Sequence, residues 1–157
     1  GIFFTIQDEK ALVNKFRENL ELYFDSITRG EEFKKSSSKK EILWVDDRPE
    51  NNVYERNILE KYGLTFSLAL STQQALHYMK HNKFALIISD MGRKEGIREG
   101  YVLLEEIRKM DKKIPFIIYA GSKKKEHVDE ALRRGAQGCT NNPGELIDLV
   151  LKNLLKN

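Results

Sequence analysis

From residue 41 onward one unit recurs: a short apolar run, a turn or cap signal, then a stretch of mixed polarity at helical spacing. The runs are "EILWV" (41–45), "LTFSLAL" (64–70), "FALIIS" (84–89), "PFIIYA" (115–120) and the shorter "QGCT" (137–140). Helices are predicted over 50–62, from Ser71 and Thr72 to about His81, and over 100–110, 124–134 and 144–155. Gly63 and Gly135 supply stop signals, and Ser71 or Thr72 an N-cap. In the first of these helices Val53, Ile58 and Leu59 are expected to face inward. Apolar runs without alternation belong to strands buried on both faces, as parallel strands covered by helices are. Strands and helices alternating at this length form right-handed crossovers and one open parallel sheet.

The expected fold class is therefore α/β: a doubly wound, flavodoxin-like (βα)5 sheet of order 2-1-3-4-5. Ligands of such sheets gather outside the carboxyl ends of the strands, near the topological switch point. Strand one ends at Asp46-Asp47, strand three at Asp90, strand four at Tyr119-Ala120, and strand five at Asn141-Asn142-Pro143. Strands one and three are neighbours in that order, so three carboxylates meet in one pocket. Their mutual repulsion calls for a cation, and hard oxygen ligands with room for water suit Mg2+. A plainer reading has Asp46 or Asp47 capping the helix that begins near Pro49. A cap accounts for one carboxylate and leaves the other two unexplained.

Composition narrows the alternatives. The 27 Lys and Arg against 24 Asp and Glu give a net charge of only +3. The basic runs at Lys39-Lys40 and Lys123 to Lys125 read as solvated surface, so nucleic-acid binding is not expected. A single cysteine, Cys139, excludes an internal disulfide and a Cys-cluster zinc site, and fits a reducing compartment. No apolar run approaches the ~18–20 residues of a membrane helix. The expected location is cytoplasmic. His77, His81 and His127 have no Cys or acidic partner at metal spacing, and Ser122 no His-Asp arrangement to activate it. Gly96 and Gly100 read as loop glycines and Met91 as a packing residue.

Ahead of the α/β pattern, residues 8–29 predict an amphipathic helix. Val13, Phe16, Leu20, Tyr23 and Ile27 alternate spacings of three and four, a heptad-like stripe. Two heptads fall short of the ~3–4 that argue for a coiled coil on pattern alone. Packing on the main domain and homodimerisation through this helix both stay open. "GEEFKKSSSKKE" (30–41) is expected to be a linker, dividing a helical segment and linker (1–38) from the α/β domain (39–157). "GIFFTI" at the start reads as the stub of an upstream domain.

The motifs "ILWVDD", "LIISD" and "PFIIYA...GAQGCTNNP", in this order and at strand ends, resemble the receiver domain of bacterial two-component response regulators from residue 41 to about 156. The resemblance implies a signalling module rather than an enzyme. It assigns Asp46 and Asp47 to Mg2+, Asp90 to phosphoacceptor and metal ligand, and the Gly92 carbonyl to the remaining protein ligand. The implied partners are a histidine kinase or phosphotransfer protein and a downstream effector protein or fused output domain. The chemistry suits these residues, because a carboxylate attacks phosphorus poorly until a cation offsets the charge of the phosphoryl oxygens.

The resemblance breaks in the half of the site that senses phosphate. Tyr119 stands where the family has Thr or Ser, and Asn142 where it has Lys before the proline. Cys139 replaces the switching aromatic of strand five, and Tyr119 is expected to fill the volume which that aromatic would occupy. "DMGRKEGIREG" is longer than the usual loop and lacks its proline; Arg93 or Lys94 is close enough to supply the missing cation. The alternative function is a phosphorylation-independent pseudo-receiver acting as a protein-protein interaction module. A haloacid-dehalogenase-type hydrolase would need its two acids one residue apart, whereas Asp46 and Asp47 are adjacent. A flavin phosphate would be repelled by three carboxylates.

Overall fold

The computed structural model describes residues 6–36, 40–94, 96–122 and 124–155. Five strands, β1 (Lys40–Val45), β2 (Leu64–Ala69), β3 (Leu86–Ser89), β4 (Phe116–Tyr119) and β5 (Gly138–Thr140), form one parallel sheet in the order β2-β1-β3-β4-β5. Helices α1 (Ile6–Ser36), α2 (Val53–Glu60), α3 (Thr72–His81), α4 (Glu99–Met110), α5 (Lys125–Arg133) and α6 (Pro143–Leu155) cover it. The flavodoxin-like order expected from the alternation is the one observed.

Side chains alternate across each strand and so feed two cores. Ile42 and Trp44 of β1, Ile88 of β3 and Ile117 of β4 pack with Ile58 and Leu59 of α2 and with Leu146, Ile147 and Val150 of α6. On the opposite face Leu43, Val45, Ile87, Phe116 and Ile118 pack with Leu103, Leu104 and Ile107 of α4 and Ala131 of α5. Most of these side chains are wholly excluded from water, each contributing roughly 1.5–3 kcal/mol by transfer. No helix among the described residues is long and apolar enough to cross a membrane.

Two expectations are corrected near the amino end. The helix expected over 50–62 divides into a 3-10 turn, Pro49–Asn52, and α2, and Val53 lies 45% exposed instead of facing inward. Much of the expected linker is helix, since α1 runs unbroken to Ser36. Phe33 holds that last stretch: it is buried and meets the Tyr62 ring edge-on at 5.8 Å. Residues 37–39 and 1–5, which carry two of the three serines, the boundary at 38/39 and most of "GIFFTI", lie outside the described residues.

Helix α1 packs on the main domain, but not through its heptad stripe. Its docking face is a different one, made by Leu22, Ser26, Gly30 and Phe33. The Tyr54 hydroxyl donates to the Asn19 carbonyl at 2.9 Å, and the Lys61 ammonium lies over the Tyr23 ring. The stripe itself, Val13, Phe16, Leu20, Tyr23 and Ile27, remains 38–63% exposed, with Leu12 and Phe24 beside it.

Candidate functional site

Register brings the site together. Val45 of β1 pairs with Ala69 of β2 and Ser89 of β3, so these strands end level. The ladder continues one residue further: the Asp46 N–H donates to the Ala69 carbonyl at 2.9 Å, and the Asp90 N–H to the Val45 carbonyl at 3.0 Å. Asp46 and Asp90 are thereby fixed side by side. One carboxylate oxygen from each of Asp46, Asp47 and Asp90 lies within 4.8 Å of the others. They face a cleft of about 890 Å3 that Gly92, Tyr119 and Asn141 also line.

Each carboxylate is held differently. Asp46 accepts from the Arg48 N–H and from Asn52 Nδ2, both at 2.8 Å; it orients the chain entering the 3-10 turn without capping a helix. Asp47 accepts the Lys94 backbone N–H at 2.9 Å. Asp90, buried at 8% exposure, accepts from Arg93 Nη1 at 2.5 Å. Burial pushes the Asp90 carboxyl up to about 7; Arg93 opposes the rise, and the charges of Asp46 and Asp47 add to it.

The Arg93 side chain is fully buried and reaches four groups besides Asp90. Nη1 lies 3.3 Å from Ser89 Oγ, and Nη2 bonds Thr72 Oγ1 and the Glu99 carbonyl, with Glu99 Oε2 at 3.7 Å. Thr72 in turn donates to Glu99 Oε2 at 2.8 Å. Ser71 caps α3, accepting the Gln74 N–H, which leaves the Thr72 hydroxyl to this network. Paired bonds between Arg93 and Gly96 close the loop tightly and turn the guanidinium back toward Asp90. Lys94, the other cation expected within reach, lends the site its backbone N–H instead. A Cβ on Gly100 would lie 2.5 Å from the Asp90 carbonyl oxygen, so α4 begins against the backbone of that residue.

Several expected features sit elsewhere. Asn142 does not line the acidic cleft; its Oδ1 accepts the Glu145 N–H at 2.9 Å and caps α6. Tyr119 lines the cleft, but its ring packs edge-on to Trp44 at 6.2 Å, in the α2–α6 core. Burial and a hydrogen bond to the carboxylate of buried Glu55 raise its pKa. Cys139 belongs to the opposite core. Tyr119 therefore does not fill the volume of the missing strand-five aromatic, and that side holds a second cavity of about 420 Å3 beside Cys139, Tyr101 and Met91. Ser122 Oγ does meet His127 Nδ1, at 2.7 Å, an exposed contact at the start of α5. Asn52, Glu55, Thr72 and Glu99 were not expected at the site, and nothing in their spacing separates them from ordinary surface polar residues.

The profile of the response regulator receiver domain matches residues 42–152, most of the chain. The chain belongs to the response regulator receiver family. This receiver domain is 31% identical over 96 residues to the transcriptional regulatory protein ZraR of Escherichia coli (strain K12), a match covering 61% of the chain and 21% of that protein. The chain thus spans about a fifth of that relative. An uncharacterized 14.6 kDa protein of Leptolyngbya boryana is 26% identical over 115 residues, covering 72% of the chain and 86% of that protein. Among solved structures, a CheY-like response regulator receiver domain protein from Methanospirillum hungatei JF-1 superposes with a TM-score of 0.65 at 26% identity, over 76% of this chain and 96% of that one. Receiver domains are signalling modules that generally bind Mg2+ in an acidic pocket. Three converging carboxylate oxygens beside an open cleft fit that ion here.

Proposed function

We propose that this receiver domain accepts a phosphoryl group on Asp90 from a histidine kinase or phosphotransfer protein in the cytoplasm and relays its state to an effector protein or a fused output domain. The observation that carries the reading is the convergence of Asp46, Asp47 and Asp90 on one cleft. Asp46, Asp47, Asp90 and the Gly92 carbonyl are the groups that would hold Mg2+, which supplies charge neutralisation for phosphoryl oxygens. An Asp90 Oδ forms the bond to phosphorus as the bond from phosphorus to the donor's histidine nitrogen breaks, and the donor leaves with that electron pair. Tyr119, occupied with Glu55, and Asn142, occupied in capping α6, contribute no charge to the product. Incubation with Mg2+ and acetyl phosphate, read by intact mass, tests the reading. A phosphorylation-independent interaction module is the second reading, favoured by the Arg93 fork already seated on Asp90.

Mg2+ affinity is expected to depend on pH near neutrality. A metal takes the ionised carboxyl, so a carboxyl titrating at about 7 makes apparent affinity fall as pH drops below 7, by at most tenfold per unit. An unshifted aspartate would leave affinity level down to about pH 5. Fluorescence of Trp44, the single tryptophan, two residues before Asp46, follows the titration.

We propose separately that a second copy of this chain covers the exposed stripe of α1. Seven large apolar side chains, Leu12 to Ile27, together offer roughly 600–700 Å2 per copy. A symmetric pair then buries on the order of 1,300 Å2, within the range of specific interfaces. Light scattering is expected to give twice 18.3 kDa for the chain, and 18.3 kDa for a Phe16→Glu/Leu20→Glu variant. A monomeric parent chain at tens of micromolar would refute this dimer.

A further inference from the structure

We infer that Arg93 is the cation this chain uses on its phosphoryl group: it neutralises Asp90 before transfer and bonds the phosphoryl oxygens after it. The inference rests on the reading of Asp90 as phosphoacceptor. No lysine stands before Pro143, and the side chain there, Asn142, is committed to α6. A buried carboxylate beside two others requires a nearby positive charge when no metal is bound. Arg93 meets that requirement at 2.5 Å, from a side chain with no exposure to water. A guanidinium fork suits tetrahedral anions, since it presents several N–H donors in one plane. When an Asp90 oxygen carries phosphorus, the carboxylate's negative charge passes to the phosphoryl oxygens, a bond further out, and Arg93 Nη1 follows it there.

That displacement has a structural consequence. The other end of the fork, Nη2, bonds Thr72 at the start of α3 and the Glu99 carbonyl at the start of α4. Drawing the guanidinium toward the phosphoryl group loosens those contacts and leaves Thr72 and Glu99 to each other. The state of Asp90 is thereby transmitted to the α3–α4 edge, without a Thr or Ser at position 119 or an aromatic at 139. Arg93 donates hydrogen bonds throughout and transfers no proton.

The two roles predict effects of opposite sign. As resident cation Arg93 competes with Mg2+, so Arg93→Gln is expected to tighten Mg2+ binding several-fold, read by Trp44 fluorescence. As anion ligand it holds the product, so the same variant should bind beryllofluoride, a tetrahedral phosphoryl mimic, at least tenfold more weakly at saturating Mg2+. Arg93→Lys, which keeps the charge but not the fork, should fall between on both measures and serves if Arg93→Gln fails to fold. Shifts of the same sign, or none, in a folded variant would overturn the inference. Failure of the parent chain to bind beryllofluoride would instead remove the phosphoacceptor reading on which it rests.

Discussion

Asp90→Asn is expected to abolish phosphoryl uptake, a loss of at least ~100-fold, or about 2.7 kcal/mol of barrier. With Mg2+ and acetyl phosphate the parent chain should gain the mass of one phosphoryl group and the variant none. The substitution is nearly isosteric, so an amide oxygen at position 90 still accepts from Arg93 Nη1. What disappears is the anionic oxygen that attacks phosphorus. Asp46 and Asp47 cannot replace it: one is engaged by Arg48 and Asn52, the other by the Lys94 N–H. Those bonds suit ligands that stay in place while Asp90 reacts. An adduct that survives in Asp90→Asn would move the acceptor to another carboxylate. A parent chain that takes up no phosphoryl group would favour the interaction-module reading, with Arg93 as a permanent substitute for the metal.

The acidic cleft was legible in the sequence because it needs only strand ends and strand order. Each "apolar run then Asp" fixes a side chain at the carboxyl end of a strand, and the doubly wound order sets β1 beside β3. Side-chain direction at the rim was harder to read. Tyr119 pairs with Thr140, and Cys139 with Ile118, so Tyr119 and Cys139 point to opposite faces. That parity is fixed by inter-strand register, which composition does not give. The role of Asn142 has a local signal: "NPGE" places Asn at N-cap, Pro at N1 and Glu at N3, the arrangement of a capped helix start. Arg93 and Lys94 were equivalent in sequence; only the turn closed between Arg93 and Gly96 distinguishes them. The charged stretch after Gly30 resembled a linker because a single apolar residue, Phe33, anchors it.

Gly30→Ala is expected to destabilise the protein although alanine is the better helix former by about 1 kcal/mol. The added Cβ would sit 2.2 Å from the Lys61 carbonyl oxygen and 2.8 Å from its carbon. Both are backbone atoms at the end of α2, and neither can rotate aside. Helix α1 must then rise from α2 by about 1 Å, enough to forfeit a large part of the dispersion energy of close contacts. The groups that lose packing are Phe33 against Tyr62 and the Tyr54 bond to Asn19, whereas the exposed Arg29–Asp148 pair contributes little. A net loss of about 2–3 kcal/mol follows, lowering Tm by roughly 5–10 °C in a chain of this size. Gly121→Ala is the control, since a Cβ there meets nothing within 4 Å, and its Tm should match the parent's. Hydrogen exchange should locate the loss in residues 19–33 and leave β1 and β3 protected. A Gly30→Ala variant as stable as the parent would mean that α1 is not clamped on α2.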